Sequence, residues 1–92
     1  MDAELIHEII EIAKRYKVTK LILFGSALES FPAAADIDLA CDGLYDKSFF
    51  RFGAEIEALL GKPVDLLPLS PSDRLTEYII IHGKVVYESK VA

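Results

Sequence analysis

Two short stretches decide the fold: Leu21 to Ser26, which reads LILFGS, and Asp36 to Leu39, which reads DIDL. The first opens with four apolar residues that favour a short buried β-strand, and Gly25 marks where that strand stops. In the second, acidic and apolar residues alternate. Because successive side chains of a strand point to opposite faces, Asp36 and Asp38 share one face while the two apolar residues point to the core.

Helices and strands alternate along the rest of the chain. Helices are predicted where apolar residues recur at helical spacing between a capping residue and a terminal glycine. In the last helix this spacing turns Leu75, Tyr78 and Ile79 inward. The predicted elements are a helix over Glu4–Tyr16, a strand over Leu21–Phe24, a loop with a brief helical start over Ala27–Ala35, a strand over Asp36–Cys41, a helix capped by Asp46 or Ser48 and ended by Gly61 and Pro63, a strand over Val64–Leu69, a helix from Ser70-Pro71 to Gly83, and a strand over Lys84–Tyr87.

This order of elements predicts an α/β (α+β) fold with a small mixed sheet of about four strands and helices packed mainly on one face. Strands joined through helices can lie parallel, whereas the brief link between the first two strands also permits an antiparallel pair. A chain of 92 residues supports one domain over residues 1–92 rather than two.

Composition and charge limit the classes of function. Hydrophobic residues make up 52% of the chain and charged residues 27%, which is typical of a globular core, where Cys41 reads as a small buried hydrophobe. Apolar runs fall far short of the roughly 20 residues that cross a bilayer, and no secretory signal is seen, so we expect a cytoplasmic protein without a membrane span. The net charge of -5 disfavours direct nucleic-acid binding and suits a basic protein partner.

Three acidic residues stand in otherwise apolar segments. Asp36 and Asp38 have Cα atoms roughly 6.6 Å apart in a strand, a separation that two carboxylates bridge by binding one hard cation. Asp65 is a single acid within PVDLL, where burial of an unpaired charge costs several kcal/mol. If its strand lies beside the Asp36 strand at about 4.8 Å, its carboxylate reaches the same site. The pattern predicts a three-carboxylate Mg²⁺ site with room for two ions.

The turn at Gly25 and Ser26 supplies the other half of the predicted site. Gly25 lets the backbone approach a ligand closely, the following helix start offers free N–H groups to an anion, and Ser26 adds a hydroxyl donor. A nucleoside triphosphate held there and at the metal is placed for in-line attack, which predicts nucleotidyl transfer. Each part alone also fits a plainer role: a turn and helix cap at Gly25-Ser26, an exposed strand edge or an isolated calcium contact at Asp36 and Asp38, or a solvent-facing Asp65 on an edge strand.

Other polar and aromatic residues are assigned to structure. His7 lies on an amphipathic helix and His82 at a helix end, where a cation is favourable. A phosphoacceptor aspartate fits poorly, because the segment after Asp65 offers no matching Lys or Thr. Core or interface packing is favoured over a base-stacking platform for the four tyrosines, Tyr16, Tyr45, Tyr78 and Tyr87.

The segments Leu23–Ser26, Asp36–Leu39 and Val64–Leu66 together resemble the minimal nucleotidyltransferase (MNT) domains of the DNA polymerase beta-like superfamily, and the match spans most of the chain. The resemblance implies the nucleotidyltransferase fold. Many members are antitoxins paired with an all-helical HEPN-type ribonuclease toxin. Some of them transfer AMP from ATP to a tyrosine of the toxin, which implies a protein hydroxyl as the acceptor here.

The same resemblance implies a role for each site residue. Asp36 and Asp38 are expected to bind Mg²⁺, and Gly25 and Ser26 to hold the triphosphate of ATP. Asp65 is expected to activate the attacking hydroxyl. The sequence leaves a homo-oligomer open.

The chain departs from the family where the usual Gly-Ser-Arg-Ala-Arg-Gly stretch carries Ala27 and Glu29 in place of the two arginines. Loss of a charge-assisted phosphate contact costs about 1.5 to 3 kcal/mol in binding. Lys47, Arg51 or Arg74 are candidates to replace the lost charge. The alternative function is therefore a binding module of weak or absent activity, which neutralises a partner by contact alone.

Overall fold

A computed structural model of the protein describes residues 3–25, 28, 33 and 36–89. The elements within these residues are α1 (Ala3–Arg15), β1 (Lys20–Phe24), β2 (Ile37–Asp42), α2 (Lys47–Leu60), β3 (Val64–Pro68), α3 (Arg74–His82) and β4 (Lys84–Glu88). Their order agrees with the sequence prediction, and the loop predicted for Ala27–Ala35 falls mostly outside the described residues. Among the described helices, none combines the length and the apolar content that a membrane crossing needs.

The strands form one mixed sheet in the order β3-β2-β1-β4. β1 pairs antiparallel with β2, the next strand in the chain, and with β4, the last strand. β2 pairs parallel with β3, because α2 lies between them in the chain and carries it back to the same end of the sheet. This mixed sheet of four strands confirms the predicted fold class.

Alternate residues of the strands build a buried cluster on each face of the sheet. On one face α1 and α2 pack against the sheet, with Phe52 and Leu39 among the buried residues. On the other face Ile79 of α3 packs with Ile22 and Ala40. Full burial of one such large apolar side chain contributes about 1.5 to 3 kcal/mol. Two of the three described helices therefore share a face, as predicted, and α3 covers part of the opposite face.

The ends of α2 follow the capping residues of the sequence. The Asp46 side chain accepts a hydrogen bond from the Ser48 N–H at 2.9 Å and so satisfies one of the free donors of the first turn. Gly61 ends the helix in the left-handed conformation, with φ of 67°, and its N–H donates to the Glu57 carbonyl oxygen. The predicted start and stop of this helix are confirmed.

Cys41 lies in the buried cluster beneath α1 and α2 and is 2% exposed. Burial disfavours the thiolate and raises the pKa of Cys41 to about 12, with a smaller effect from the neighbouring Asp42 charge. The prediction that Cys41 behaves as a small buried hydrophobe is confirmed.

The predicted start of α3 at Ser70-Pro71 is wrong. Asp73 is the N-cap: its carboxylate accepts from the Thr76 N–H at 2.8 Å, and its own N–H donates to the Thr76 hydroxyl at 2.8 Å. This reciprocal capping box satisfies two backbone donors at once. The hydroxyl of Ser70 instead donates to the Asp42 carboxylate at 3.1 Å, so it anchors the loop to the end of β2.

The inward face of α3 also differs from the prediction. Ile79 is fully buried as expected, but Leu75 is 52% exposed and Tyr78 is 61% exposed. The capping box buries Thr76, and residues three apart share a helix face, so Thr76 and Ile79 together set the buried side. Leu75 and Tyr78 therefore lie toward solvent on the edge of that face.

We expect Asp73→Ala to lower the free energy of unfolding by about 1 kcal/mol, because it removes the cap of α3. Asp73→Ser keeps an acceptor at the same position and should retain most of the stability. Urea denaturation followed by circular dichroism measures both. A loss with Ser70→Ala but none with Asp73→Ala would show that the helix begins where the sequence pattern placed it.

Candidate active site

The register of the parallel pair β2 and β3 places Asp38 directly opposite Asp65. Both side chains point away from the face that α1 and α2 cover, because the strand neighbours of Asp38 (Ile37 and Leu39) and of Asp65 (Val64 and Leu66) belong to or pack against the cluster on that face. A side-chain hydrogen bond between the two carboxyl groups contributes to a raised pKa of Asp38, after the larger effects of burial and of the neighbouring negative charges. Two acids far apart in sequence thus meet at one point of the sheet.

The charges of this cluster oppose one another. Burial raises the pKa of Asp38, and the negative charges of Asp65 and then Asp36 raise it further, followed by the hydrogen bond between Asp38 and Asp65. Asp36 itself is exposed and lies one residue before β2, rather than inside the strand as the sequence predicted. The three carboxylates are close enough to repel one another, which is the condition that a bound cation relieves.

Asp65 is exposed, and β3 is an edge strand of the sheet. The expectation that its charge is buried and must be compensated is therefore wrong: only one side of its strand is paired, and the other side is open to solvent. Over the described ranges, no three acidic, histidine or cysteine side chains already surround one point as the ligands of a bound ion do. The arrangement is an Asp38–Asp65 pair with Asp36 beside it.

Gly25 lies directly against the Asp38 carboxylate. It follows β1 with φ of 71°, and a Cβ added to it would lie 2.2 Å from Oδ2 of Asp38. A left-handed φ and the lack of a side chain are both required here, so Gly25 fixes where the Asp38 carboxylate can stand. Ser26, together with Ala27 and Glu29, lies outside the described residues.

Two of the candidate replacement cations belong to α2. Lys47 and Arg51 lie on this helix, which covers the face of the sheet opposite Asp38. Arg51 is exposed, and its charge is only a minor influence on the pKa values of Tyr16, which is raised mainly by its hydrogen bond with Glu55, and Asp46, which is lowered mainly by its hydrogen bonds with Ser48. These two cations do not replace the family's arginines at the Gly25 turn.

Arg74, the third candidate, begins α3. Leu75, the residue after it, lines the same cleft as Gly25, and the other end of α3 is held against β1, where Gly83 lies beside Leu23. With a rise of about 1.5 Å per residue, the helix separates the two ends by roughly 12 Å. His82, which sequence reasoning assigned to structure, is the ionisable α3 residue at the Gly83 end.

A cleft of about 410 Å³ opens between the Gly25 turn and α3. Phe24 and Leu28 line one wall, and Tyr78 and His82 line the other. The rings of Tyr78 and His82 pack together, with centroids 4.3 Å apart. Tyr78 and His82 are four residues apart on one helix, which places their rings side by side. This spacing could have indicated a ring pair, whereas the sequence analysis assigns both residues to structure.

A four-stranded mixed sheet, with paired aspartates on adjacent strands beside a glycine turn, defines a nucleotidyltransferase fold. The sequence model of the family described as "Polymerase beta, Nucleotidyltransferase" matches residues 7–91. The chain belongs to this family.

Several solved structures share the fold. A Shewanella oneidensis complex of a tri-AMPylated HEPN toxin with an MNT antitoxin matches with a TM-score of 0.74 and 21% identity, over 97% of this chain and 74% of the matched chain. A toxin–antitoxin complex with AMP-PNP matches with a TM-score of 0.74 and 21% identity, over 92% and 74%. An MntA–HepT complex matches with a TM-score of 0.70 and 20% identity, over 94% and 72%. No curated protein matches the sequence.

We expect Gly25→Ala to destabilise the protein more than Gly61→Ala. Both positions have a left-handed φ, which costs a non-glycine residue about 1 to 2 kcal/mol. Only the new methyl group at position 25 collides with a neighbour, since nothing lies within 4 Å of a Cβ at Gly61. Denaturant unfolding of the two variants measures the difference.

The Asp38→Ala background isolates the collision. It removes Oδ2 and leaves the Asp38 Cβ position 3.3 Å from the new methyl group, so the excess cost of Gly25→Ala should shrink. Equal losses of stability at positions 25 and 61 in the wild-type background would contradict the close contact between Gly25 and Asp38.

Proposed function

We propose that this chain is a Mg²⁺-dependent nucleotidyltransferase of the MNT antitoxin type, which transfers AMP from ATP to a hydroxyl of a HEPN-type protein partner. The pairing of Asp38 with Asp65 on adjacent strands, beside Gly25, carries the proposal. Membership of the nucleotidyltransferase family supports the class of reaction. The matched structures support the acceptor and the nucleotide, since one holds a tri-AMPylated HEPN toxin and another AMP-PNP.

The donor atoms at the site suit a hard divalent cation. Carboxylate oxygens are the ligands that Mg²⁺ prefers, and Asp36, Asp38 and Asp65 would hold one such ion or two. The raised pKa of Asp38 fits this assignment, because a cation among the carboxylates offsets their repulsion. Bound Mg²⁺ would neutralise the charge of the triphosphate during transfer.

The chain's own residues then position the reactants. In this proposal Gly25 and Ser26 bind the triphosphate, and Asp65 accepts the proton of the acceptor hydroxyl. The hydroxyl oxygen forms a bond to the α-phosphorus of ATP. The bond from that phosphorus to the oxygen bridging the β-phosphorus breaks, and pyrophosphate leaves on the opposite side. The exposure of Asp65 on an edge strand suits an acceptor that belongs to another protein.

The absent arginines predict weak nucleotide binding. Ala27 and Glu29 offer no cation to the triphosphate, and Lys47 and Arg51 stand on a helix across the sheet. A lost charge-assisted contact weakens binding by about 1.5 to 3 kcal/mol. We therefore expect a high KM for ATP rather than a change in the type of reaction.

The same substitutions favour a second candidate function, neutralisation of the partner by contact alone. The net charge of -5 suits a basic partner surface, and contact requires none of the three carboxylates to act on a nucleotide. On this view the antitoxin covers the toxin without modifying it.

Transfer can be measured with ATP labelled at the α-phosphate and a co-expressed HEPN-type partner, in Mg²⁺ or Mn²⁺. We expect label on the partner, and loss of labelling by at least about 100-fold in Asp36→Ala with Asp38→Ala, since both remove metal ligands. The matched control is Glu8→Ala with Glu11→Ala, which removes two negative charges from the exposed side of α1.

Two outcomes separate the candidate functions. If the folded wild-type protein never labels its partner under either metal ion, the transferase proposal fails. If the aspartate double variant still co-purifies with the partner and neutralises it fully, contact alone is sufficient. Loss of neutralisation with intact binding would exclude contact alone.

A further inference from the structure

We propose that the cleft between the Gly25 turn and α3 holds the nucleobase, with the Tyr78–His82 ring pair as its stacking surface. This inference rests on the proposed nucleotidyl transfer, and it identifies the residues that bind the part of the nucleotide farthest from the chemistry. Sequence reasoning assigned both residues to structure.

The position of the cleft supports this assignment. Gly25 forms part of its wall and also touches Asp38, so the cleft is continuous with the acidic cluster. A nucleotide whose phosphates lie at the Gly25 turn and the carboxylates has its sugar and base within reach of this space. The volume of about 410 Å³ lies within the range of about 300 to 1,000 Å³ that small-molecule sites occupy.

The chemistry of the walls suits a flat aromatic ligand. Tyr78 and His82 present rings 4.3 Å apart and inclined by 36°, while Phe24, Leu28 and Ile79 supply apolar surface. Tyr78 is 61% exposed and therefore keeps ring surface available to a ligand. Stacking on an aromatic side chain accepts any base, because every base has a π-face.

The charges also favour this cleft over another on the molecule. The described residues of its wall include no acid, so the wall itself adds no negative charge next to the base of an anionic nucleotide. A second cleft, lined by Tyr45, Asp46 and Pro68 among others, contains an acid. It also lies toward the far end of β3, about 10 Å along the strand from Asp65 at a rise of about 3.3 Å per residue.

The test compares ATP with inorganic tripolyphosphate, which has the phosphates without the base, by calorimetry in Mg²⁺. In the wild-type protein ATP should bind about tenfold more tightly than tripolyphosphate, because stacking adds to the phosphate contacts. Tyr78→Ala should reduce the affinity for ATP to that of tripolyphosphate and leave tripolyphosphate binding unchanged. Tyr78→Phe retains the ring and should retain the difference.

A matched control uses another exposed tyrosine. Tyr45 is 76% exposed and lines the second cleft, so Tyr45→Ala should change the affinity for neither ligand. Far-ultraviolet circular dichroism of both alanine variants checks that the fold is intact. We expect an intact fold because both tyrosine side chains are exposed.

Three results would overturn the inference. Equal affinities of the wild-type protein for ATP and tripolyphosphate would exclude a base site, while the nucleotidyl-transfer proposal would stand. Failure to bind either ligand would also exclude the base site, and labelling of the partner from ATP then decides the nucleotidyl-transfer proposal separately. Unchanged ATP binding in Tyr78→Ala, with loss of co-purification with the HEPN-type partner, would assign the cleft to a protein contact instead.

Discussion

The parallel pairing of β2 with β3 is the constraint on which the site depends. It sets Asp38 opposite Asp65, and a shift of one residue in this register would turn Asp65 toward the face that α2 covers. The buried residues of α2, Phe52 and Ile56, hold the crossover between the two strands against the sheet. Packing of the core on one face therefore determines the placement of charges on the other, with the Gly25 turn closing against Asp38.

Local patterns in the sequence predicted most of this arrangement. Acidic and apolar residues alternate around Asp38, which places this acid away from the core whichever strand lies beside it. Asp46 and Gly61 mark the ends of α2 through local capping, which needs no tertiary information. The adjacency of Asp38 and Asp65 required one further step, that the two strands pair. The family match and the shared fold agree with that reasoning, while the roles of the individual residues stay predictions.

What the sequence did not predict depends on contacts between distant residues. Ser70 could have capped α3, but its hydroxyl donates to Asp42, which lies on another strand. Tyr78 matches the apolar spacing of a buried helix face. The helix begins at the Asp73 cap and buries Thr76 and Ile79, so Tyr78 lies at the edge of that face and lines the cleft beside the Gly25 turn. The exposure of Asp65 likewise follows from the order of strands, which leaves β3 at the edge. Periodicity along one segment contains none of this information.

The proposed mechanism requires that the carboxylates near Gly25 form one divalent-cation site. Nuclear magnetic resonance of the folded protein titrated with Mn²⁺ tests it most directly, because the paramagnetic ion broadens the signals of nearby amides. We expect the broadening to centre on the amides of Gly25, Asp38 and Asp65. Asp38→Asn keeps the shape of the side chain, removes its charge and should abolish this broadening. Broadening centred on the acidic residues of α1, or broadening that is unchanged in Asp38→Asn, would exclude a cation site at these carboxylates.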